Sequence, residues 1–196
     1  MRGAVLHAPG DVRFEEREKP EISKPTDALI RTVATCVCGS DLWSYRGINT
    51  VAEPAPFGHE YVGIVEEVGG EVGRIKPGQF VIGSFFASDD TCAVCRAGYH
   101  TSCQNREYFG GCQSEYIRIP LADGTLVATP DQPDQALVPG LLKPAVHDHP
   151  QLFRQALQHG ALSSRSPRAA CPPSLRCAAT DSRGPRDAPA RACRSR

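Results

Sequence analysis

Two short stretches of this 196-residue chain concentrate the side chains that bind metals and move protons. The first is Asp89-Asp90-Thr91-Cys92-Ala93-Val94-Cys95 followed by Cys103, a D-x2-C-x2-C-x7-C spacing. Two thiolates three residues apart face one ion from a single turn, and a third sulfur downstream makes zinc the expected guest. Asp89 offers a carboxylate as the fourth donor, and Arg96-Ala97-Gly98 lets the chain reverse around the ion. A pair of redox thiols is the competing reading, but no βαβ pattern surrounds these cysteines. The second stretch pairs Cys36-Val37-Cys38-Gly39-Ser40-Asp41 with Phe57-Gly58-His59-Glu60. Thiolate, imidazole and carboxylate are again zinc donors. Asp41 is suited to hold the second ring nitrogen of His59, and the Ser40 hydroxyl to pass a proton from an alcohol. Taken singly these signals are weak, because a lone Gly-His-Glu is more often a strand-edge histidine and a lone buried Cys a small hydrophobe.

The elements that must position these residues read as strands. Gly3–His7, Asp11–Arg17, Ala28–Ala34, Tyr61–Val68, Gln79–Ile82, Ser114–Ile119 and Thr125–Ala128 are short segments, most of them apolar or β-branched. Pro9-Gly10, Pro20, Pro25, Gly69-Gly70 and Lys76-Pro77-Gly78 separate them as turns. Ser40–Arg46, between Gly39 and Gly47, reads as a short helix capped by Ser40 or Asp41. Many short strands between Gly and Pro turns predict a mainly β, partly closed barrel.

Composition narrows the function further. The chain has 22 basic and 22 acidic residues, so no overall charge favours nucleic acid. No apolar run reaches the roughly 18–20 residues of a membrane span, and the N-terminus does not read as a secretory signal. Nine cysteines, an odd number, argue against a paired disulfide framework and for a cytoplasmic setting. The zero charge conceals two unlike segments. Residues 1–142 hold 12 basic and 19 acidic residues, and residues 143–196 hold 10 basic and 3 acidic. The second segment has six large apolar residues in 54, a composition that predicts disorder. A run of Arg, Pro, Ala, Ser and Cys is also what a GC-rich gene yields when read out of frame. Only Gln151–Leu162 has an apolar face suited to a few helical turns.

Taken together, one ordered set of motifs resembles a known family. Cys38-Gly39-Ser40-Asp41, Gly58-His59-Glu60, Tyr61-Val62-Gly63-Ile64-Val65, Lys76-Pro77-Gly78, the cysteine lobe, and Gly110-Gly111 leading into Glu115-Tyr116-Ile117 follow one another as in the medium-chain zinc-dependent alcohol dehydrogenases. The resemblance covers residues 1 to about 142 and implies that family's N-terminal GroES-like catalytic domain. It implies that Cys38 and His59 bind a catalytic zinc, with Glu60 behind the metal or joining it. Ser40 would be the relay hydroxyl and Asp41 the partner of His59. Asp89, Cys92, Cys95 and Cys103 would hold a structural zinc, Asp89 standing where the family usually has a fourth cysteine. Cys36, Cys112 and the tail cysteines match no ligand position.

By this resemblance the chain oxidises an alcohol to an aldehyde or ketone, or runs the reverse, passing hydride to NAD or NADP. The partner is then a small-molecule alcohol or carbonyl, and neither nucleic acid nor membrane. Two further departures shape the expectation. Trp43 stands where many members carry a histidine, so its indole would line the substrate pocket. The nicotinamide-binding Rossmann domain should begin soon after Leu142, yet residues 143–196 contain only Gly160 and Gly184 and therefore no G-x-G-x-x-G. The third protein ligand of the catalytic zinc usually comes from that segment, where His147 and Asp148 fall. The expectation is a truncated or frameshifted chain with two zinc sites and little or no activity of its own. A zinc-binding scaffold or interaction module without catalysis is the alternative.

Overall fold

The computed structural model describes residues 1–50, 54–136 and 138. The expected tail over 143–196, its helical patch Gln151–Leu162, and the candidates His147 and Asp148 lie outside the described residues. The described chain is mainly β, with a few short helices.

A five-stranded antiparallel sheet forms the centre, in the order β10 (Leu126–Ala128), β6 (Phe80–Gly83), β5 (Tyr61–Val68), β3 (Ala28–Thr35), β9 (Tyr116–Ile119). A second sheet orders β2 (Asp11–Glu16), β1 (Arg2–Ala8) and β4 (Ala55–Pro56). The sheets join where Gly3 bridges Ser114 and the Ala4 N–H donates to the Gln113 carbonyl at 2.8 Å. β7 (Phe86–Ala87) pairs β8 (Glu107–Tyr108) as a small separate ribbon. The helices are α1 (Asp41–Tyr45), α2 (Ala93–Arg96) and α3 (Ala122–Thr125), with a 3-10 turn at His100–Ser102.

Period-two alternation explains why the central strands bury both faces. On β5, Tyr61 and Val65 enter one cluster with Ile30, Val81, Ile117, Ile119 and Leu126, while Val62 enters a second with Phe80, Ile82 and Val127. Burying a side chain of this size contributes about 1.5–3 kcal/mol, so these two clusters supply the main drive for the fold. Tyr61, 1% exposed, lies across Gly83, where a Cβ would stand 1.8 Å from its hydroxyl oxygen. Only glycine fits there.

The strands expected from pattern match the observed ones closely, with ends shifted by a residue or two. The last two differ in kind. Ser114 makes a single bridge to Gly3 before β9 begins at Tyr116, and Thr125 closes α3 before β10 begins at Leu126. The two-residue strands β4, β7 and β8, and helices α2 and α3, are too short to leave a periodic pattern.

Candidate metal centres

The register of β3 against β5 brings the first group of residues together. The ladder ends with Thr35 opposite Tyr61. The chain leaving β3 carries Cys36 and Cys38, and the chain entering β5 carries His59 and Glu60. Adjacent ends of one antiparallel pair therefore deliver donors that lie 21 residues apart in sequence between Cys38 and His59. Ligand atoms of Cys38, His59 and Glu60 all lie within 4.8 Å of one another. Glu60 is buried, and the other two are half-buried.

Asp41 ties the two segments. Its Oδ1 lies 3.0 Å from His59 Nδ1, and its Oδ2 accepts the Cys38 backbone N–H at 2.9 Å. The hydrogen bond to Asp41 outweighs the opposing effect of burial and, with Cys38 adding to it, lifts His59 to about 9. Ser40 occupies the N-cap position of α1 without capping it. Its Oγ instead lies 3.3 Å from His59 Nε2. The expected capping hydroxyl is thus directed to the donor cluster. Trp43 stands on α1, 54% exposed.

Two residues beside this cluster carried no signal in the sequence, and a third matched no ligand position. Gln113 donates from Nε2 to the Cys36 carbonyl at 3.3 Å, and its backbone N–H donates to the Phe57 carbonyl at 3.1 Å, bracing both ligand-bearing segments. Gly58, at φ +86°, lets the Gln113 side chain lie where a Cβ would stand 2.5 Å from its Cγ. Phe85 meets the His59 ring edge-on at 5.6 Å between centroids. The third is Cys36, whose thiol donates to Glu60 Oε2. Burial and then the Glu60 contact push this thiol up to about 12. A glutamine or a phenylalanine far along the chain has no local spacing that would betray such contacts. Only the strand register links Cys36 to Glu60.

The lobe at 89–103 forms from local turns, and all four expected donors meet there. Ligand atoms of Asp89, Cys92, Cys95 and Cys103 lie within 4.8 Å of one another. Cys92 is the N-cap of α2, its sulfur accepting the Cys95 N–H at 3.4 Å, and it lies 4.0 Å from the Cys103 sulfur. Asp89 Oδ1 accepts the N–H groups of Thr91 at 2.9 Å and Cys92 at 3.2 Å, and Oδ2 accepts from Asn105 Nδ2 at 2.6 Å. Burial works to raise the Asp89 carboxyl, but these bonds and the Cys103 thiol hold it well below the usual carboxylate range. The backbone N–H of Gln104, then that of Cys95, lowers the Cys92 thiol, whereas burial raises Cys95. Three sulfurs and an ionised oxygen around one point suit a tetrahedral soft-to-borderline cation, so the donor chemistry fits zinc. Behind the lobe, Asp90 at φ +58° receives Arg74 at 2.7 Å and faces buried His100 at 3.4 Å.

Residues 24–131 match the family model described as the alcohol dehydrogenase GroES-like domain. The chain is 39% identical over 136 residues to zinc-type alcohol dehydrogenase B of Aspergillus flavus, covering 67% of this chain and 32% of that one. Zinc dependent alcohol dehydrogenase 2 from Streptococcus pneumonia superposes with a TM-score of 0.63 at 38% identity, over 70% of this chain and 41% of that one. Alcohol dehydrogenase TADH from Thermus sp. ATN1 gives 0.61 at 32% identity, over 67% and 40%. The chain spans about a third to a half of the length of the curated relatives it matches. Among the described residues no helix is long and apolar enough to cross a membrane.

Proposed function

The chain belongs to the medium-chain, zinc-type alcohol dehydrogenase family through its GroES-like domain, and from that premise we propose that it is the zinc-holding catalytic domain of an alcohol dehydrogenase. The observation that carries this reading is the Cys38, His59, Glu60 cluster with His59 Nδ1 held by Asp41 at 3.0 Å. Cys38, His59 and Glu60 bind the catalytic zinc, and Asp89, Cys92, Cys95 and Cys103 bind the structural one. The substrate is a small alcohol or carbonyl compound, and NAD or NADP takes the hydride. The catalytic domain ends near residue 142.

Zinc at the first centre supplies a Lewis acid that lowers the pKa of an alcohol hydroxyl. His59 Nδ1–H donates to Asp41, which fixes the tautomer and leaves Nε2 free to meet a metal. Its second oxygen holds the Cys38 backbone, so one carboxylate sets both donors. Ser40, exposed at the edge of the cluster, takes the hydroxyl proton and passes it to water. Buried Glu60 supplies negative charge on the protein side of the centre. Transfer of hydride needs a dinucleotide held nearby, and residues 143–196 contain no glycine-rich motif to hold one. On this reading hydride transfer needs a dinucleotide-binding segment besides the residues of the GroES-like domain.

Metal analysis of the purified chain tests the reading. The expected result is close to two zinc ions per chain, one lost in Cys38→Ala and the other in Cys95→Ala. A chain that binds no metal at Cys38 is not a catalytic domain of this kind, and a zinc scaffold then becomes the better description. Oxidation of an alcohol with added NAD should be undetectable for the isolated chain. Turnover that disappears in Cys38→Ala would overturn that expectation.

A further inference from the structure

Cys36 stands outside the donor cluster, yet its place is dictated by the same strand pair. The ladder pairs Thr35 with Tyr61, and one step further along that register sets Cys36 opposite Glu60. The Cys36 thiol points across this step and donates to Glu60 Oε2. Its carbonyl is held by Gln113 Nε2 at 3.3 Å, and its side chain packs against the cluster formed by Val62, Phe80 and Ile82. The thiol is therefore fixed from two sides. Glu60 is 5% exposed, so water does little to orient its carboxylate. Cys36 itself is not one of the residues whose ligand atoms gather within 4.8 Å, and its thiol contact is to the Glu60 carboxylate.

We propose that Cys36 is the positioning residue for Glu60, its thiol holding the carboxylate in the orientation from which it meets the metal. The proposal rests on the metal reading of Cys38, His59 and Glu60. A buried carboxylate with one oxygen tied to a donor has one remaining direction for its charge. Remove the donor and the carboxylate turns freely or seeks another partner, at a cost to any metal it should face. Partners behind a ligand typically matter by about 10–100-fold in metal affinity. A thiol and a hydroxyl differ in size and strength as donors, but both present a hydrogen to Oε2 from the same Cβ.

Cobalt(II) titration of the full chain, with the lobe already filled by zinc, provides the test. The absorption band absent in Cys38→Ala reports the centre, so failure of the metal reading shows as no such band in the unchanged chain. With that band present, Cys36→Ala should weaken cobalt binding about tenfold or more and shift the band. Cys36→Ser should restore both. In a Glu60→Gln background, Cys36→Ala should change nothing further, because the residue acts only through that carboxylate. Cobalt affinity and band unchanged in Cys36→Ala, or tightened, overturn the assignment. So does an equal loss in the Glu60→Gln background, which would mark a purely structural residue. Hydrogen-exchange protection kept over β3 and β5 controls for folding in every variant.

Discussion

The lobe and the Cys38 centre use the same donor chemistry but are assembled in opposite ways. In the lobe four donors lie within the fifteen residues Asp89–Cys103, and each is set by a turn, a helix cap or a neighbouring N–H. The Cys38 centre draws Cys38 from the end of β3, His59 and Glu60 from the start of β5, and its brace Gln113 from the segment before β9. If zinc fills the lobe, its order should depend on the metal, because the turns that set its donors are short. The centre depends on the β3–β5 strand pair, whose register brings its donors together. A site built locally should fail locally, and a site built by the fold should lose its guest without losing the fold.

The largest expected effect follows from the lobe. Cys95→Ala should remove one metal per chain and unfold the segment between β7 and β8. Structural zinc contributes on the order of 10 kcal/mol in small peptide sites, more than the turns of this lobe supply by themselves. Hydrogen exchange should show protection lost over residues 88–106 and kept over β3, β5 and β6. Loss of protection in those central strands would mean that the lobe and the barrel fold as one unit, and the comparison would fail.

Next in size is Cys38→Ala. One metal per chain should again be lost, but the melting temperature should move by no more than a few degrees. The β3–β5 ladder and its two apolar clusters remain intact in this variant. A collapse as deep as that of Cys95→Ala would show that the centre, like the lobe, is ordered by its ion.

How far the sequence reveals each region follows from the same contrast. The lobe is legible because its donors, its cap Cys92 and its reversal at Gly98, φ +96°, lie in one short run. The turns at Gly10, Gly47 and Gly78 are legible for the same reason, each adopting the positive φ that glycine tolerates. Cys38 and His59 are individually ambiguous in sequence, and only the ordered set of motifs relates them. The contact of Gln113 with Cys36, and of Phe85 with His59, is invisible because nothing local announces which distant residue a strand register will bring close. Ser40 is the instructive case. Its position at the start of a helix is readable, but its hydroxyl turns to His59 and not to the helix N–H groups.

A smaller effect is expected from Asp41→Ala. The substitution removes the partner of His59 Nδ1 and the acceptor of the Cys38 N–H together, while leaving every donor in place. Metal affinity at the Cys38 centre should fall about 10–100-fold, and the lobe should keep its ion. Competition with a chelator, followed separately for the two metals, measures this. An unchanged affinity would show that the barrel alone orients His59, so that the carboxylate adds nothing to what Phe85 and the strand end already fix.

The smallest effect belongs to Asn105→Ala, and it sharpens the idea that the lobe is a local structure with redundant supports. Asn105 donates to Asp89 Oδ2 at 2.6 Å, but it is exposed, and water can take its place. Asp89 Oδ1 keeps the N–H groups of Thr91 and Cys92, which come from the turn itself. A hydrogen bond to a charged carboxylate contributes about 1.5–3 kcal/mol where water is excluded and less at an exposed partner, so lobe affinity should fall about tenfold. Asp89→Ala should cost far more, because it removes a ligand and leaves two turn N–H groups without their acceptor. Chelator competition on both variants gives the ratio, with the Cys38 centre as an internal reference. If Asn105→Ala weakens the lobe as much as Asp89→Ala does, the carboxylate is held by Asn105 and not by the turn. The lobe would then need the chain beyond Cys103, and its independence from the rest of the fold would be lost.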